Sequence, residues 1–298
     1  MAYLASLAVV TFFAGNILVG SALTDLPPVT VALIRLLVAL LILLPLGARS
    51  AYRRRRVFVH HWRPLLIATL SGVTFFNTFL YSALQFTSAT NVAVLESVIP
   101  TATILASVLL LKERLIPVQW VGVGLSLGGA LWVVTDGRLL ALAEGGWNVG
   151  DGLMVGAILG WVIYTLQIKK CIHLFPARAL LLVMTAISVL VLLPLAAGEW
   201  LLLGVPALGE ADLWTGLIYL GVFPSVVAIL CYNYAVSRIG GAQASLFLNF
   251  LPVFTIAGAW VFLGDEVTAS QVVGALVVIC GVVLATYTGS RRPAAARP

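Results

Sequence analysis

Apolar residues in this chain come in long, nearly unbroken runs, not in the narrow stripes of a soluble helix or the alternation of a half-buried strand. A bilayer core of ~30 Å needs ~20 apolar residues per spanning helix. Ten runs approach that length, over about 2–24, 29–48, 64–86, 90–111, 115–134, 150–170, 177–197, 212–235, 242–263 and 268–288. Turn or charge signals separate them. They include Asp25-Leu26-Pro27-Pro28, the Arg53–Arg56 run, Lys112-Glu113-Arg114, the stretch from Asp136 to Asn148, Lys169-Lys170, Gly198-Glu199, Arg238-Ile239-Gly240-Gly241 and Gly264-Asp265-Glu266. The first run has no Lys or Arg before Arg35 and exceeds the apolar length of a signal peptide, so it reads as a retained helix. The pattern predicts an all-α membrane protein with ten transmembrane helices.

Composition supports lipid as the main solvent. Of 298 residues, 61% are hydrophobic and 9% charged, against ~25% charged in a soluble domain. The mean hydropathy is +1.10. A soluble chain of this length could not hide that much apolar surface, which excludes a soluble enzyme, a nucleic-acid binder and a disordered chain. Cys171, Cys231 and Cys280 form no CxxC pair and read as small buried hydrophobes.

The basic residues set orientation. With a cytoplasmic N-terminus, the inner loops and tail hold 15 of the 17 Lys and Arg residues, Arg138 alone lies outside, and Arg35 lies within a span. This asymmetry predicts both termini inside. It accounts for the net charge of +6 without nucleic acid. The Arg53–Arg56 run, with His60 and His61, then forms a cytoplasmic loop that touches anionic lipid.

Sliding the sequence against itself by 152 residues aligns the third to fifth runs with the eighth to tenth. Pro100 falls on Pro252, Thr103 on Thr255, Gln119 on Gln271, Gly122 on Gly274, Gly129 on Gly281 and Glu113 on Asp265. Earlier, Leu43-Leu44-Pro45-Leu46 echoes Leu192-Leu193-Pro194-Leu195. Each half holds five runs, an odd number, so the second half inserts upside down. The expected organisation is a first repeat over 1–137, an outer linker over 138–148, a second repeat over 149–289 and a cytoplasmic tail over 290–298. Inverted repeats are a signature of alternating-access carriers, with the substrate near the midplane where the halves meet.

The proline-bearing fourth and ninth runs, the acidic turns at Glu113 and Asp265-Glu266, and the Gln-x-x-Gly starts at Gln119 and Gln271 carry a family resemblance. In these the chain resembles the drug/metabolite transporter superfamily of the EamA-repeat type, most of all the YddG kind of bacterial amino-acid exporter. That resemblance covers about residues 2–288. It implies a ten-helix basket, a central cavity lined mainly by the third, fourth, eighth and ninth helices, and export of amino acids.

Charges inside hydrocarbon are costly and therefore functional candidates. Arg35 and Glu96 each lie six or seven residues from the outer end of their spans, at a similar depth of ~10 Å. They are candidates for an intramembrane ion pair that fixes helix register, and Glu96 is a candidate receiver of a substrate ammonium or a proton. Small polar residues concentrate in four symmetry-related helices. The cavity candidates are Asn77, Thr78 and Tyr81 in the third, Glu96, Ser97 and Thr101 in the fourth, Tyr232 and Asn233 in the eighth, and Ser245 and Asn249 in the ninth. Such residues also bond neighbouring helices to one another. Pro100 and Pro252 each remove a backbone hydrogen bond in mid-span, as packing kinks or as paired hinges. Trp147, Trp200 and Trp214 read as interfacial anchors, and the glycines of the fifth and tenth runs as sites of close helix packing.

No metal-ligand cluster, Walker lysine motif or Gly-x-Ser-x-Gly occurs, so no cofactor, metal or catalytic residue is predicted. The expected function is secondary export of amino acids, aromatic ones included, across the cytoplasmic (inner) membrane by a monomer surrounded by lipid. Efflux of cationic drugs or another metabolite by the same fold is the alternative, with an intramembrane enzyme or lipid-handling protein behind it.

Overall fold

The computed structural model describes residues 1–111, 115–135, 137, 148–171, 174–209, 211–239 and 247–286; the side chains of residues 111, 169–171, 236 and 237 lie outside the description. All regular structure among the described residues is helical. Eight helices are long and apolar enough to cross a membrane: α1 (Ala2–Ala22), α2 (Pro28–Arg53), α3 (Trp62–Leu84), α4 (Ala89–Leu110), α5 (Pro117–Val134), α6 (Val149–Ile168), α7 (Ala177–Leu203) and α8 (Ala211–Ala235). Two shorter apolar helices follow, α9 (Leu251–Leu263) and α10 (Ala269–Ala285). The run predicted from residue 242 starts among residues outside the description. The sequence reading cut two helices short. It ended α2 near residue 48 and α7 near 197, yet both run on, to Arg53 and Leu203, through their internal prolines Pro45 and Pro194.

Corresponding helices of the two halves pack against each other. The most extensive contacts are α5 on α10 and α2 on α7. Both pairs are antiparallel: Gly122 meets Gly281 while Gly129 meets Gly274, and Gly47 near the end of α2 meets Arg178 at the start of α7. The remaining contacts repeat with the halves exchanged. Helix α1 packs on α8 and α9, and its counterpart α6 packs on α3 and α4.

Backbone irregularities repeat as well. A π-helical stretch occupies Thr69–Phe75 in α3, and another occupies Phe223–Val227 in α8. A shift of 152 residues carries 71–75 onto 223–227. In α4 the helical turns stop at Glu96 and resume at Ile99, and the chain turns again at Asn249-Phe250 before α9. Pro100 and Pro252 each sit at the second position of the resumed helix. That position tolerates proline because its N–H has no intrahelical acceptor. Sequence placed these prolines mid-span, and the structure shows that each follows a true interruption.

The core gathers Ile17, Leu33, Leu80, Met154, Leu192 and Leu217, all wholly buried. Leu109, Leu201 and Phe262 stand on the exposed surface. Lipid tails are as apolar as leucine, so burial of such side chains does little to drive association here. Close packing at small residues and interhelical hydrogen bonds hold the bundle instead. At Gly122 an added Cβ would lie 2.2 Å from the backbone nitrogen of Ala285, and at Gly281 it would lie 2.3 Å from that of Ser126. Nothing larger than glycine fits at either position.

Candidate functional site

Arg35 organises the interior. It lies two turns into α2 and is 5% exposed. Its Nη1 donates to Asn16 Oδ1 of α1 at 2.9 Å, to Asn77 Oδ1 of α3 at 2.9 Å, and to the Tyr81 hydroxyl. Its Nε and Nη2 donate to Ser225 Oγ of α8 at 3.2 and 2.8 Å. Tyr81 in turn donates to Asn16 Oδ1 at 2.9 Å. One guanidinium thus ties three helices of the first half to one of the second, and all five residues are buried.

The π-helical stretch of α8 explains why Ser225 can take part. A widened turn frees backbone carbonyls, and the Ser225 hydroxyl donates to Leu220 O, five residues back, at 2.7 Å. Its lone pairs are then left for Arg35. Asn77 is oriented similarly, its Nδ2 donating to Val73 O at 2.7 Å so that Oδ1 faces the guanidinium.

Glu96 stands at the end of the first segment of α4. Its Oε2 is closed off from solvent and has no hydrogen-bond partner among the described residues. Arg35 and Glu96 do not pair in this structure: among the described residues no ion pair within 4.0 Å joins them, and Asn16, Asn77, Tyr81 and Ser225 around the guanidinium are all neutral. The segment of α4 that ends at Glu96 packs on α1 and α3, which carry Asn16, Asn77 and Tyr81. Pro100 has no N–H to offer the Glu96 carbonyl, so the carboxylate sits beside the free carbonyl end of a half-helix.

The other sequence candidates divide. Asn77 and Tyr81 join the Arg35 cluster. Thr101 donates to Ser126 Oγ of α5 at 2.9 Å, both fully buried, and acts as a tie between helices. Thr78 and Ser97 donate to carbonyls of their own helix, Thr74 O at 3.0 Å and Val94 O at 2.6 Å. Asn249 is buried at the turn before α9, Tyr232 is half-buried and Asn233 is exposed. Ser245 lies outside the described residues, as does Trp147. The rings of Phe76, Trp161 and Tyr164 meet in sequence, tilted by 54° and 51°, with centroids 4.7 and 5.1 Å apart.

Three participants escaped the sequence reading. Asn16 and Ser225 are isolated polar residues in apolar runs, with no spacing that marks them. Glu199, expected at a turn, lies within α7. Its carboxylate accepts from Val29 N, Thr30 N and Thr30 Oγ1 at 3.1, 2.9 and 2.9 Å, capping the start of α2 from α7. Trp200 Nε1 adds a bond to Thr30 Oγ1 at 2.8 Å. A signal for this was present: Pro27-Pro28 opens α2 with no Ser, Thr, Asp or Asn at the cap, so its first N–H groups need an acceptor from elsewhere.

Known proteins share this architecture. A protein of solved crystal structure superposes with a TM-score of 0.62 over 94% of this chain and 95% of its own, at 16% identity, which is a likeness of fold alone. The uncharacterized transporter YyaM of Bacillus subtilis is 24% identical over 74% of this chain and 72% of its own. An uncharacterized transporter of Archaeoglobus fulgidus is 28% identical over 76% of each chain. A protein of Streptantibioticus cattleyicolor named as a probable terminal-alkyne amino-acid exporter is 24% identical over 70% of this chain and 68% of its own. The EamA-like transporter family matches over residues 1–135 and again over 148–287. A multi-pass membrane protein whose two matched stretches together span nearly its whole length, this chain belongs to the EamA-like transporter family.

Proposed function

We propose that this transporter is a secondary carrier that exports amino acids, aromatic ones included, across the cytoplasmic membrane by alternating access. In this reading ten spans form two inverted five-helix repeats with both termini cytoplasmic, and one chain in its lipid surround makes a complete pathway. The antiparallel pairing of α5 with α10 and of α2 with α7 supports the inversion. The observation that carries the reading is the matched set of interruptions near mid-span, in α3 and α8 and again in α4 and before α9, with Arg35 and Glu96 beside them. Helices broken at mid-depth expose backbone groups only where a ligand or a moving part uses them. Pro100 and Pro252 then serve as hinges at which each half bends.

Amino acids are preferred to other cargo on two grounds. One relative of this chain is named as a probable amino-acid exporter. Among the described residues, Arg35 and Glu96 stand as one cationic and one anionic side chain among neutral polar groups, the buried carboxylate of Asp151 lies at the start of α6, and there is no cluster of carboxylates suited to a cationic drug. Counterflow of labelled amino acids into proteoliposomes of the purified protein tests the reading, with and without a pH gradient. Saturable uptake that depends on trans substrate is the expected result. Flux of a cationic dye with none for any amino acid would overturn it in favour of drug efflux. Labelling of single cysteines near residues 112 and 265 tests the inversion, which requires them on opposite faces.

A further inference from the structure

Among the described residues, no anion contacts the buried guanidinium of Arg35. A guanidinium this far from water ordinarily has a carboxylate partner, because neutral acceptors replace only part of its lost hydration. It carries five N–H groups. Nε takes Ser225, the two on Nη1 are shared among Asn16, Asn77 and Tyr81, and Nη2 has only Ser225, so one Nη2 hydrogen has no acceptor among the described residues. Glu96 is the complementary case: a carboxylate with an unpartnered buried oxygen. The carbonyl end of its half-helix adds further negative potential. The segment of α4 that ends at Glu96 packs on α1 and α3, the helices that bring Asn16, Asn77 and Tyr81 to Arg35, yet the two charged groups are not in contact.

Neither charge is a requirement of the architecture. The 152-residue repeat carries Glu96 onto Leu248, and the alignment of Leu43-Leu44-Pro45-Leu46 with Leu192-Leu193-Pro194-Leu195 carries Arg35 onto Met184. The same positions in the other half are filled by ordinary apolar side chains, Met184 within an apolar cluster with Phe58, Leu65 and Phe175.

We propose that Arg35 and Glu96 are the two halves of a split ion pair completed by a zwitterionic substrate, whose carboxylate is received by Arg35 and whose ammonium is received by Glu96. An α-amino acid carries both charges on one carbon, so a single ligand supplies the missing anion and the missing cation together. The substrate carboxylate displaces the neutral Ser225 hydroxyl, a weaker acceptor than an anion. The inference rests on the amino-acid reading above and narrows it: recognition is of the amino-acid backbone, which leaves the side chain free to vary.

Counterflow in proteoliposomes provides the test, with phenylalanine as labelled substrate. Competitors are phenethylamine, which lacks the carboxylate, and 3-phenylpropionate, which lacks the ammonium. Each analogue leaves one buried charge unanswered, so each is expected to compete about tenfold or more weakly than phenylalanine itself. Arg35→Met and Glu96→Leu, which borrow the residues of the opposite half, are expected to abolish counterflow while eluting as monodisperse protein from size exclusion. Should either variant fail to fold, the competition series on the wild-type protein decides the matter by itself. Robust phenylalanine counterflow with analogues that compete as well as the parent would overturn the split-pair inference and leave the exporter reading standing. Absence of flux for every amino acid would overturn both.

Discussion

The α5–α10 seam and the Arg35 cluster obey opposite rules. At the seam the two halves are interchangeable: the contact of Gly122 with Gly281 becomes, on exchange, the contact of Gly274 with Gly129, and both are present. Around Arg35 the exchange fails at four positions. Arg35 corresponds to Met184, Glu96 to Leu248, Ser225 to Val73, and the buried Tyr81 to the exposed Asn233. Val73 and Met184 meet in one apolar cluster, so the Arg35–Ser225 contact has an oily counterpart in the other half. A scaffold that must close in either direction gains from identical halves. A site that binds one asymmetric molecule gains from differing ones. The division of the chain into a symmetric frame and an asymmetric interior is the physical form of that compromise.

The frame should be the easiest part to break. Gly122→Ala or Gly281→Ala drives a methyl group into the backbone of the facing helix, and neither helix can yield locally. Each substitution should cost about 3 kcal/mol or more, read as loss of the monodisperse peak after mild heating in detergent. Gly274→Ala should be milder, because the nearest atom to its added Cβ is a methyl of Val133, 2.2 Å away, which a rotamer change can move. Equal damage at the two positions would mean that the seam is not limited by backbone contact at Gly122.

In the interior, the comparison predicts unequal effects at corresponding positions. Arg35→Met leaves Asn16, Asn77 and Ser225 without their common donor, at about 2–3 kcal/mol. Met184→Leu conserves volume in an apolar cluster and should cost under about 1.5 kcal/mol. The measurement is the shift in apparent Tm for each purified variant. Similar shifts would put Arg35 on the same footing as any core residue.

What sequence could and could not reveal follows the same division. The frame was legible, because spans of ~20 apolar residues and small residues at fixed spacing are imposed by lipid and by close helix approach. The helices long enough to cross a membrane fall where the runs predicted, and of the six glycines read as close-packing sites Gly122, Gly129, Gly274 and Gly281 do pack closely while Gly124 and Gly128 meet nothing within 4 Å. The interior was legible only in part. Arg35, Asn77, Tyr81 and Glu96 announced themselves as polar groups in hydrocarbon, but their partners did not. Arg35 and Glu96 stand at matching depth, which made a direct pair reasonable. Depth, however, fixes one coordinate of three, and the guanidinium turned instead to Asn16, Asn77, Tyr81 and Ser225. Gly72 and Pro224, helix-weakening residues at matching positions, lie in the two π-helical stretches, but nothing local says that the widened turn at Pro224 hands the Ser225 hydroxyl to Arg35.

Glu199 tests a tie of intermediate strength, between the paired helices α2 and α7. Its carboxylate satisfies two backbone N–H groups at a helix start, where a negative charge is also favoured by the helix dipole. Glu199→Ala should destabilise by about 1–2 kcal/mol, and Glu199→Gln by roughly half as much, since the amide keeps one acceptor. A Gln variant as damaged as Ala would show that charge, not hydrogen bonding, makes the cap.

The smallest effect is the sharpest control on the frame. Gly124 and Gly128 lie on the same helix as Gly122 and Gly129, yet both are exposed and an added Cβ at either meets nothing within 4 Å. Composition alone cannot separate these four residues. If glycine were used along α5 simply to loosen the helix, all four substitutions to alanine would act alike. If it is used for contact, only the two that face α10 resist replacement. Gly124→Ala should then leave stability unchanged or raise it by up to about 1 kcal/mol, the intrinsic preference of a helix interior for alanine over glycine. Side-by-side melting of Gly122→Ala and Gly124→Ala, two residues apart in the chain, therefore isolates the facing helix as the cause. A loss at Gly124 comparable to that at Gly122 would move the origin of the effect from the seam to the helix itself.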